Sequence, residues 1–419
     1  MTVGDELRPP GNGFRAPGTG LMVGGSLVAA FGAYVFQIIG GRALGAEGFA
    51  PISVLWTMFF IVATVVLVPV EQHVTREAAS GRRVLTWHGL LPALLAITFA
   101  TVVGLAFVVF TLDRAFVGDE TFLLITTVLF ISYGVYEVGK GLLAGHRKFG
   151  LVGWSMIGES VGRLLLAVAF LAVSTGATSL GWAMALGSFT VLGTRFWRFD
   201  HQAESGSLAV ATRFLGVYVL ASAASQTLLA GAPLAVLALG GSAEMISVAF
   251  VTFTLYRAPL TLTYLLQGRL LPYLVRMTET GDRTESDRLV TWLLWAGAGL
   301  CLAGALTGYL VGPDVVQLLL GGEFRPSSDV AALVAGGVVA AVTVQVVGQF
   351  LVAQGRTLAL TVVWSLGLAS AILLLLALSD LEPLTRTALA FAVGEVVALT
   401  AMWRVARFRT VQEEAPHVR

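Results

Sequence analysis

Twelve apolar stretches follow one another along this chain, each long enough to cross a bilayer as a helix and joined to the next by a short polar connection. They lie at 18–40, 49–71, 87–111, 121–144, 151–174, 178–197, 214–239, 244–267, 289–311, 329–353, 357–378 and 384–404. A hydrocarbon core about 30 Å thick takes about 20 apolar residues in helical form. Backbone polar groups must be satisfied internally there, which leaves only helices or a closed barrel. Barrel strands run about 10 residues and alternate apolar with polar, whereas these runs are continuous. The pattern therefore predicts an all-α, polytopic membrane protein. Charge agrees: 12% of the 419 residues are ionisable, about half of what a soluble surface needs.

Net charge is +1, which argues against a nucleic-acid partner. The single cysteine, Cys301, lies in an apolar run, so no disulfide within the chain and no metal-type Cys/His spacing exists, and no cofactor is expected. Residues 1–17 lack the basic and apolar regions of a signal peptide and read as a short cytoplasmic tail.

Orientation follows from the excess of Lys and Arg in cytoplasmic loops. With both termini inside, only Arg42, Arg114, Arg325 and Arg386 fall outside, while Lys140, Arg163 and Arg257 lie within spans. The rest of the 26 basic residues fall inside. One missed or invented span would scramble this alternation.

A faint repeat divides the chain. LGAEGFAPISV (44–54), between the first two spans, echoes GGSAEMISV (240–248), between the seventh and eighth. LLAGHRKFGLVGWS (142–155) echoes LVAQGRTLALTVVWS (351–365). The layout is a tail (1–17), a six-helix bundle (18–197), a basic linker (198–213), a second six-helix bundle (214–404) and a second tail (405–419). Six spans is an even number, so the bundles enter from the same side, as parallel repeats of a transporter do.

Particular motifs resemble a known family. GRALGAEGFAPISVLW (41–56), VEQHVTREAASGRR (70–83), AGHRKFGLVGWSMIGESVGRLLLA (144–167) and GPDVVQLLLGGEFRPSS (312–328) resemble the bacterial polysaccharide exporters. These belong to the multidrug/oligosaccharidyl-lipid/polysaccharide (MOP) exporter superfamily, which includes O-antigen and lipid II flippases. The resemblance implies a MATE-like fold in the bacterial plasma (inner) membrane. Its implied substrate is a lipid-linked saccharide of polyprenyl-pyrophosphate type, flipped from the cytoplasmic to the outer leaflet. It admits H+ or Na+ as coupling ion, and membrane lipids and enzymes of polysaccharide synthesis as partners. Two departures matter. Pro69-Val70-Glu71-Gln72 replaces a Gly-rich end to the second span, and twelve spans rather than fourteen count against a peptidoglycan role.

Ionisable groups inside a membrane are costly, so they carry functional information. Glu137 and Lys140 lie at i, i+3 on the fourth span, and Glu159 and Arg163 at i, i+4 on the fifth. Each pair shares a helix face. At 1.5 Å per residue Glu137 and Glu159 stand at similar depth, so the pairs are expected to meet as one four-charge cluster. That cluster is either a structural brace or a proton- or cation-coupled site. Arg257, on the eighth span beside Pro259, has no acid within one turn. A guanidinium grips phosphate oxygens bidentately, so Arg257 suits an anionic head group; a salt bridge to Glu395 is the alternative. Arg257, Arg163, Lys140, Gln226, Gln345 and Tyr256 are thus candidate substrate contacts, and Glu137, Glu159 and Glu395 candidate coupling groups. Ser222, Ser225, Thr252, Thr254, Thr261, Tyr264 and Gln349 add polar groups around Arg257. Glu71-Gln72 reads as a membrane boundary or a gate at the cytoplasmic mouth. Val315–Leu320, too short to span, is expected to lie in the interface.

Three other readings remain. A multidrug exporter would share the fold around an apolar cavity with one buried acid, Glu395 or Glu159. A major-facilitator transporter lacks support, because Gly81-Arg82-Arg83 is not preceded by the Asp-Arg of that signature. An enzyme or scaffold of polysaccharide synthesis is of a different class. The sequence has no Asp-x-Asp motif, and His73, His88, His146, His201 and His417 are scattered.

Overall fold

The computed structural model describes residues 17–200, 222–260, 283–353 and 356–407, and these are helical with short turns and no strand. Helix α1 (Thr19–Val62) is two spans joined at Gly45, whose φ of 70° and ψ of 178° no helix accommodates. Glycine takes that left-handed angle without a Cβ clash. A π-helical segment (Ala63–Leu67) follows, then α2 (Val68–Ala79). Pro69 explains the irregularity, because it has no N–H to return to the Val65 carbonyl and its ring crowds the preceding turn.

Next come α3 (Trp87–Ala115), α4 (Thr121–Gly145), α5 (Phe149–Val173) and α6 (Ala177–Gly187). The sixth span is shorter in α-form than the expected 178–197. Beyond Gly187 it tightens into 3₁₀ turns, Ser188–Thr194 and Phe196–Phe199. Thr190 and Thr194 hydroxyls donate to the carbonyls three residues back, at 2.9 and 2.7 Å, and so compete with the α ladder.

The seventh span is broken in the middle. Helix α7 (222–230) ends at Gly231, and α8 (Ala232–Ala238) begins with Pro233 near its start. Helix α9 (Ala243–Tyr256) is capped by the Ser242 hydroxyl, which accepts from the Met245 N–H at 3.2 Å. Gly240 before it has φ 77°, as Gly45 has 70° at the other repeat junction. The two members of the first echo thus each mark a left-handed glycine ahead of a helix start. The expected starts and ends at 214–221 and 261–267 lie outside the described residues, as do Thr261 and Tyr264.

Helix α10 (Arg283–Leu320) runs 38 residues. Val315–Leu320 is therefore the end of a long helix rather than part of a loop. Pro313 is tolerated within it, and the connection shrinks to 321–327. Helices α11 (Ser328–Ala353), α12 (Thr357–Ala377) and α13 (Pro383–Arg407) complete the chain. Among the described residues, eight helical stretches are long and apolar enough to cross a membrane, the first being 61 residues that hold two spans. With the shorter helices of the sixth to eighth spans, the architecture is the expected one of about twelve.

Packing groups the chain into two units. One comprises Met1–Phe36, Val66–Phe107 and Thr121–Leu208; the other comprises Gln37–Val65, Val108–Glu120 and Ala209–Arg419. The hairpin 37–65 thus packs with the later helices, and the boundary at Val65 falls inside the π segment. Small residues let helix backbones touch, the main packing device in lipid. In the first unit Gly25 on α1 abuts Gly153 on α5, and a Cβ on Gly153 would lie 2.4 Å from the Leu21 carbonyl oxygen. In the second, Gly367 on α12 and Gly394 on α13 face each other, a Cβ on either lying 2.8 or 2.9 Å from the other's carbonyl oxygen. Phe110, Leu165, Trp295 and Leu302 are largely exposed, as befits a face solvated by lipid.

Candidate functional site

Two polar constellations sit inside these units. The first is built on α2, α4 and α5. Tyr133, Glu137 and Lys140 recur at i, i+4, i+7 and therefore share one face of α4. Lys140 Nζ lies 2.8 Å from Glu137 Oε2 and 3.1 Å from Glu71 Oε2 on α2, and sits over the Tyr136 ring at 5.1 Å. Glu71 reaches it because α2 and α4 nearly touch at Gly141, where a Cβ would stand 2.7 Å from the Glu71 carbonyl oxygen. On α5, Arg163 Nη1 donates to Glu159 Oε1 at 2.7 Å and to the Tyr133 hydroxyl oxygen at 3.1 Å. The Tyr133 hydroxyl in turn donates to Glu159. The Arg163 guanidinium lies over the Phe36 ring at 5.6 Å.

The expected four-charge cluster is thus two ion-paired groups. Tyr133 and Tyr136 stand between them, their rings 5.8 Å apart and edge to face. The helix spacing of the charges left out the tyrosines one turn along α4. Glu71, read from sequence as a boundary or gate residue, also contacts Lys140 and gives it two carboxylates. One group sets two carboxyl groups against one ammonium; the other pairs one guanidinium with one carboxylate.

The second constellation is on α9. The helix stops at Tyr256 because Pro259 removes the donor for the Leu255 carbonyl. Arg257 occupies the resulting turn. Its Nη1 donates to the Leu229 carbonyl oxygen on α7 at 3.1 Å, and its guanidinium lies 5.4 Å from the Phe60 ring centroid. Around it, Trp56, Thr57, Phe60, Ala230, Pro233, Phe250, Phe253 and Thr254 line crevices too narrow for a water molecule.

Tyr256 points elsewhere. It lines a separate cavity of about 360 Å³ with Pro259, Gly304, Gly308, Val315, Ala335 and Val339. Glu395, on α13, is 0% exposed, and neither carboxylate oxygen has a hydrogen-bond partner among the described residues. The alternative of an Arg257–Glu395 salt bridge is therefore not formed. The guanidinium instead caps a backbone carbonyl that a proline has orphaned. Gln226 is buried on α7, and Gln345 is half-buried on α11. No group of metal-ligating side chains occurs among the described residues.

No family model matches the chain. Uncharacterized proteins of Mycobacterium tuberculosis and Mycobacterium bovis are 26% identical to it, each alignment covering 95% of this chain and 95% of the relative. Among solved structures, an inward-facing multidrug resistance MATE family transporter of the MOP superfamily superposes with a TM-score of 0.71 at 13% identity, over 93% of this chain and 98% of that one. The lipid II flippase MurJ, in an inward closed conformation, gives 0.68 at 12% identity, over 92% and 87%. The chain has the MOP exporter fold.

Within that fold, the sequence-predicted residues are divided between the two units. Lys140, Arg163, Glu137 and Glu159 belong to the first unit. Arg257, Tyr256, Gln226, Gln345 and Glu395 belong to the second, and there Tyr256 and Arg257 open on different cavities. The aromatic wall of Trp56, Phe60, Phe250 and Phe253 was not anticipated. Its only signal was an aromatic excess in the second and eighth spans, which core packing explains equally well.

Proposed function

We propose that this chain is a membrane transporter that flips a lipid-linked oligosaccharide or polysaccharide precursor from the cytoplasmic to the outer leaflet by alternating access. The observation that carries the reading is Arg257 at a helix break, aimed among Trp56, Phe60, Phe250 and Phe253. A guanidinium recognises phosphate oxygens, and aromatic rings offer flat apolar faces to sugar rings. That combination suits a saccharide joined to a polyprenyl chain through pyrophosphate. Both termini lie in the cytoplasm by the loop-charge bias, and the repeat makes 18–197 and 214–404 the two moving bundles. The fold likeness to a protein named as a lipid II flippase supports the same direction.

Coupling to H+ or Na+ falls on the buried acids. Glu137 and Glu159 each face a cation at 2.8 and 2.7 Å, whereas Glu395 faces none among the described residues. A buried carboxylate without a counter-charge is expensive to keep ionised, so Glu395 is the acid best placed to exchange a cation during the cycle.

A multidrug exporter is the second reading. It is favoured by that lone buried acid and by the mostly apolar cavity beside Tyr256. Reconstituted proteoliposomes separate the two. Labelled polyprenyl-pyrophosphate oligosaccharide crossing leaflets chemically unchanged supports the flippase. Efflux of a lipophilic cationic dye, with no lipid movement, supports the exporter, and a chemically altered lipid would mean an enzyme.

A further inference from the structure

We infer that Arg42 and Glu323 form a two-point latch that shuts the transport route at the outer end of the first hairpin, and that it must part once in every cycle. The inference rests on the alternating-access reading above.

Two helix ends meet at this point. Helix α10 stops at Leu320, and the last carbonyls of a helix have no donors of their own. Arg42 Nε donates to the Leu319 carbonyl oxygen at 2.8 Å, and Nη2 to that of Leu318 at 2.7 Å. Opposite, the chain turns at Gly45 and a new helix begins, whose first N–H groups lack acceptors. Glu323 Oε2 accepts from the Ala46 N–H at 2.9 Å. Each charged side chain therefore caps the other segment's helix. The cation sits at a carboxyl end and the anion at an amino end, the favourable sense for both helix dipoles. Gly45 is shaped to admit the carboxylate: a Cβ there would stand 2.6 Å from Glu323 Oε2.

Beneath the latch lies a plug of rings. Phe49 packs against Phe250 at 5.9 Å and Phe324 at 6.4 Å, and Phe250 against Trp56 at 6.5 Å. Trp56 and Phe250 also line the Arg257 pocket. Latch, plug and pocket are thus consecutive layers between the same walls, and the pocket holds no room for water in this state. Opening toward this end strips Glu323 from the Ala46 N–H and Arg42 from its carbonyls. Arg42 and Glu323 are themselves exposed, so water replaces the lost bonds as they break. That makes the joint reversible, which a buried ion pair would not be.

The test is a thiol placed in the pocket by Thr57→Cys, in a Cys301→Ser background, probed in right-side-out and inside-out proteoliposomes with a membrane-impermeant maleimide. Glu323→Ala is expected to speed labelling from the outer side about tenfold, the equilibrium effect of losing one charge-assisted hydrogen bond, and Arg42→Ala, which loses two, by at least as much. Arg42→Lys and Glu323→Gln, which keep a donor and an acceptor, fall between these and the parent. Unchanged outer labelling in both alanine variants, at parental amounts in the membrane, overturns the latch. Should either variant fail to accumulate, a reducible bismaleimide bridging Arg42→Cys and Glu323→Cys replaces it. Transport must then stop on bridging and return on reduction, and transport that continues while bridged overturns the proposal. If labelling responds but no lipid-linked saccharide moves, the substrate reading fails and the latch stands.

Discussion

Arg257 donates from Nη1 to the carbonyl of Leu229, 3.1 Å away, and so repairs a gap in α7 that Pro233 opens. The amide four residues beyond Leu229 would ordinarily satisfy that carbonyl, but position 233 has no N–H. One side chain thus pins the broken seventh span to the break in the eighth and faces the aromatic pocket.

Two roles give separable outcomes. Arg257→Ala is expected to insert normally and to lose transport, with a stability loss of about 1 kcal/mol from one neutral acceptor left without its donor. Arg257→Lys restores most of that stability but not transport, because an ammonium lacks the planar fork for pyrophosphate oxygens. Thermal unfolding in detergent and leaflet-transfer assays on the same preparations check both halves. Full transport by Arg257→Ala would remove this residue from the ligand site.

Lys140 holds two carboxylates, Glu71 at 3.1 Å and Glu137 at 2.8 Å. Deleting the ammonium leaves two acids facing each other in a poorly solvated place. Lys140→Met is therefore expected to destabilise by about 3 kcal/mol, the scale for removing one partner of a buried ion pair. Glu137→Gln alone should cost far less, because Glu71 still partners the ammonium. Adding Glu137→Gln to Lys140→Met should recover part of the loss. Thermal or denaturant unfolding of the four proteins closes the cycle, and simple additivity would mean that the three groups do not act together.

The apolar spans were legible because hydrocarbon imposes length and composition together, and no tertiary detail is needed to see them. Pro69, Pro233 and Pro259 marked real breaks, yet their form was not readable. A π segment, a split seventh span and a turn at Arg257 depend on which neighbour satisfies each orphaned carbonyl. The i, i+3 and i, i+4 charge pairs were legible because helix geometry fixes them. Tyr133, Tyr136 and the contact of Glu71 with Lys140 were overlooked for two different reasons. The tyrosines were in the same periodic pattern on α4 and could have been found. Glu71 arrives from another helix through the close approach at Gly141, which no local spacing encodes. Arg42 and Glu323 lie far apart in the chain and belong to motifs that resemble a family without revealing that they touch.

Helix contacts that depend on glycine give a paired prediction. Gly153 on α5 has the Leu21 carbonyl oxygen 2.4 Å from where its Cβ would stand, whereas Gly24 on α1 has nothing within 4 Å. Gly153→Val must push backbone against backbone and is expected to cost about 2–3 kcal/mol, the upper part of the overpacking range. Gly24→Val meets no such barrier and stays within about 1 kcal/mol of the parent, since valine is no poorer a helix former than glycine. Comparable melting temperatures for the two variants would contradict the close α1–α5 packing.

Glu395 gives the sharpest distinction between structure and coupling. Its side chain is fully buried on α13, without a hydrogen bond or ion pair to any described residue. Glu395→Gln keeps the shape and removes the capacity to carry a proton or cation. Because no partner is lost, the variant should unfold at or slightly above the parental temperature; a structural ion pair would instead leave a stranded cation and lower it. Its transport should no longer respond to an imposed pH or sodium gradient, while movement down the substrate's own gradient persists. Rates measured in proteoliposomes with and without each gradient decide the matter: an undiminished response would move coupling to Glu137 or Glu159, each of which already faces a fixed cation.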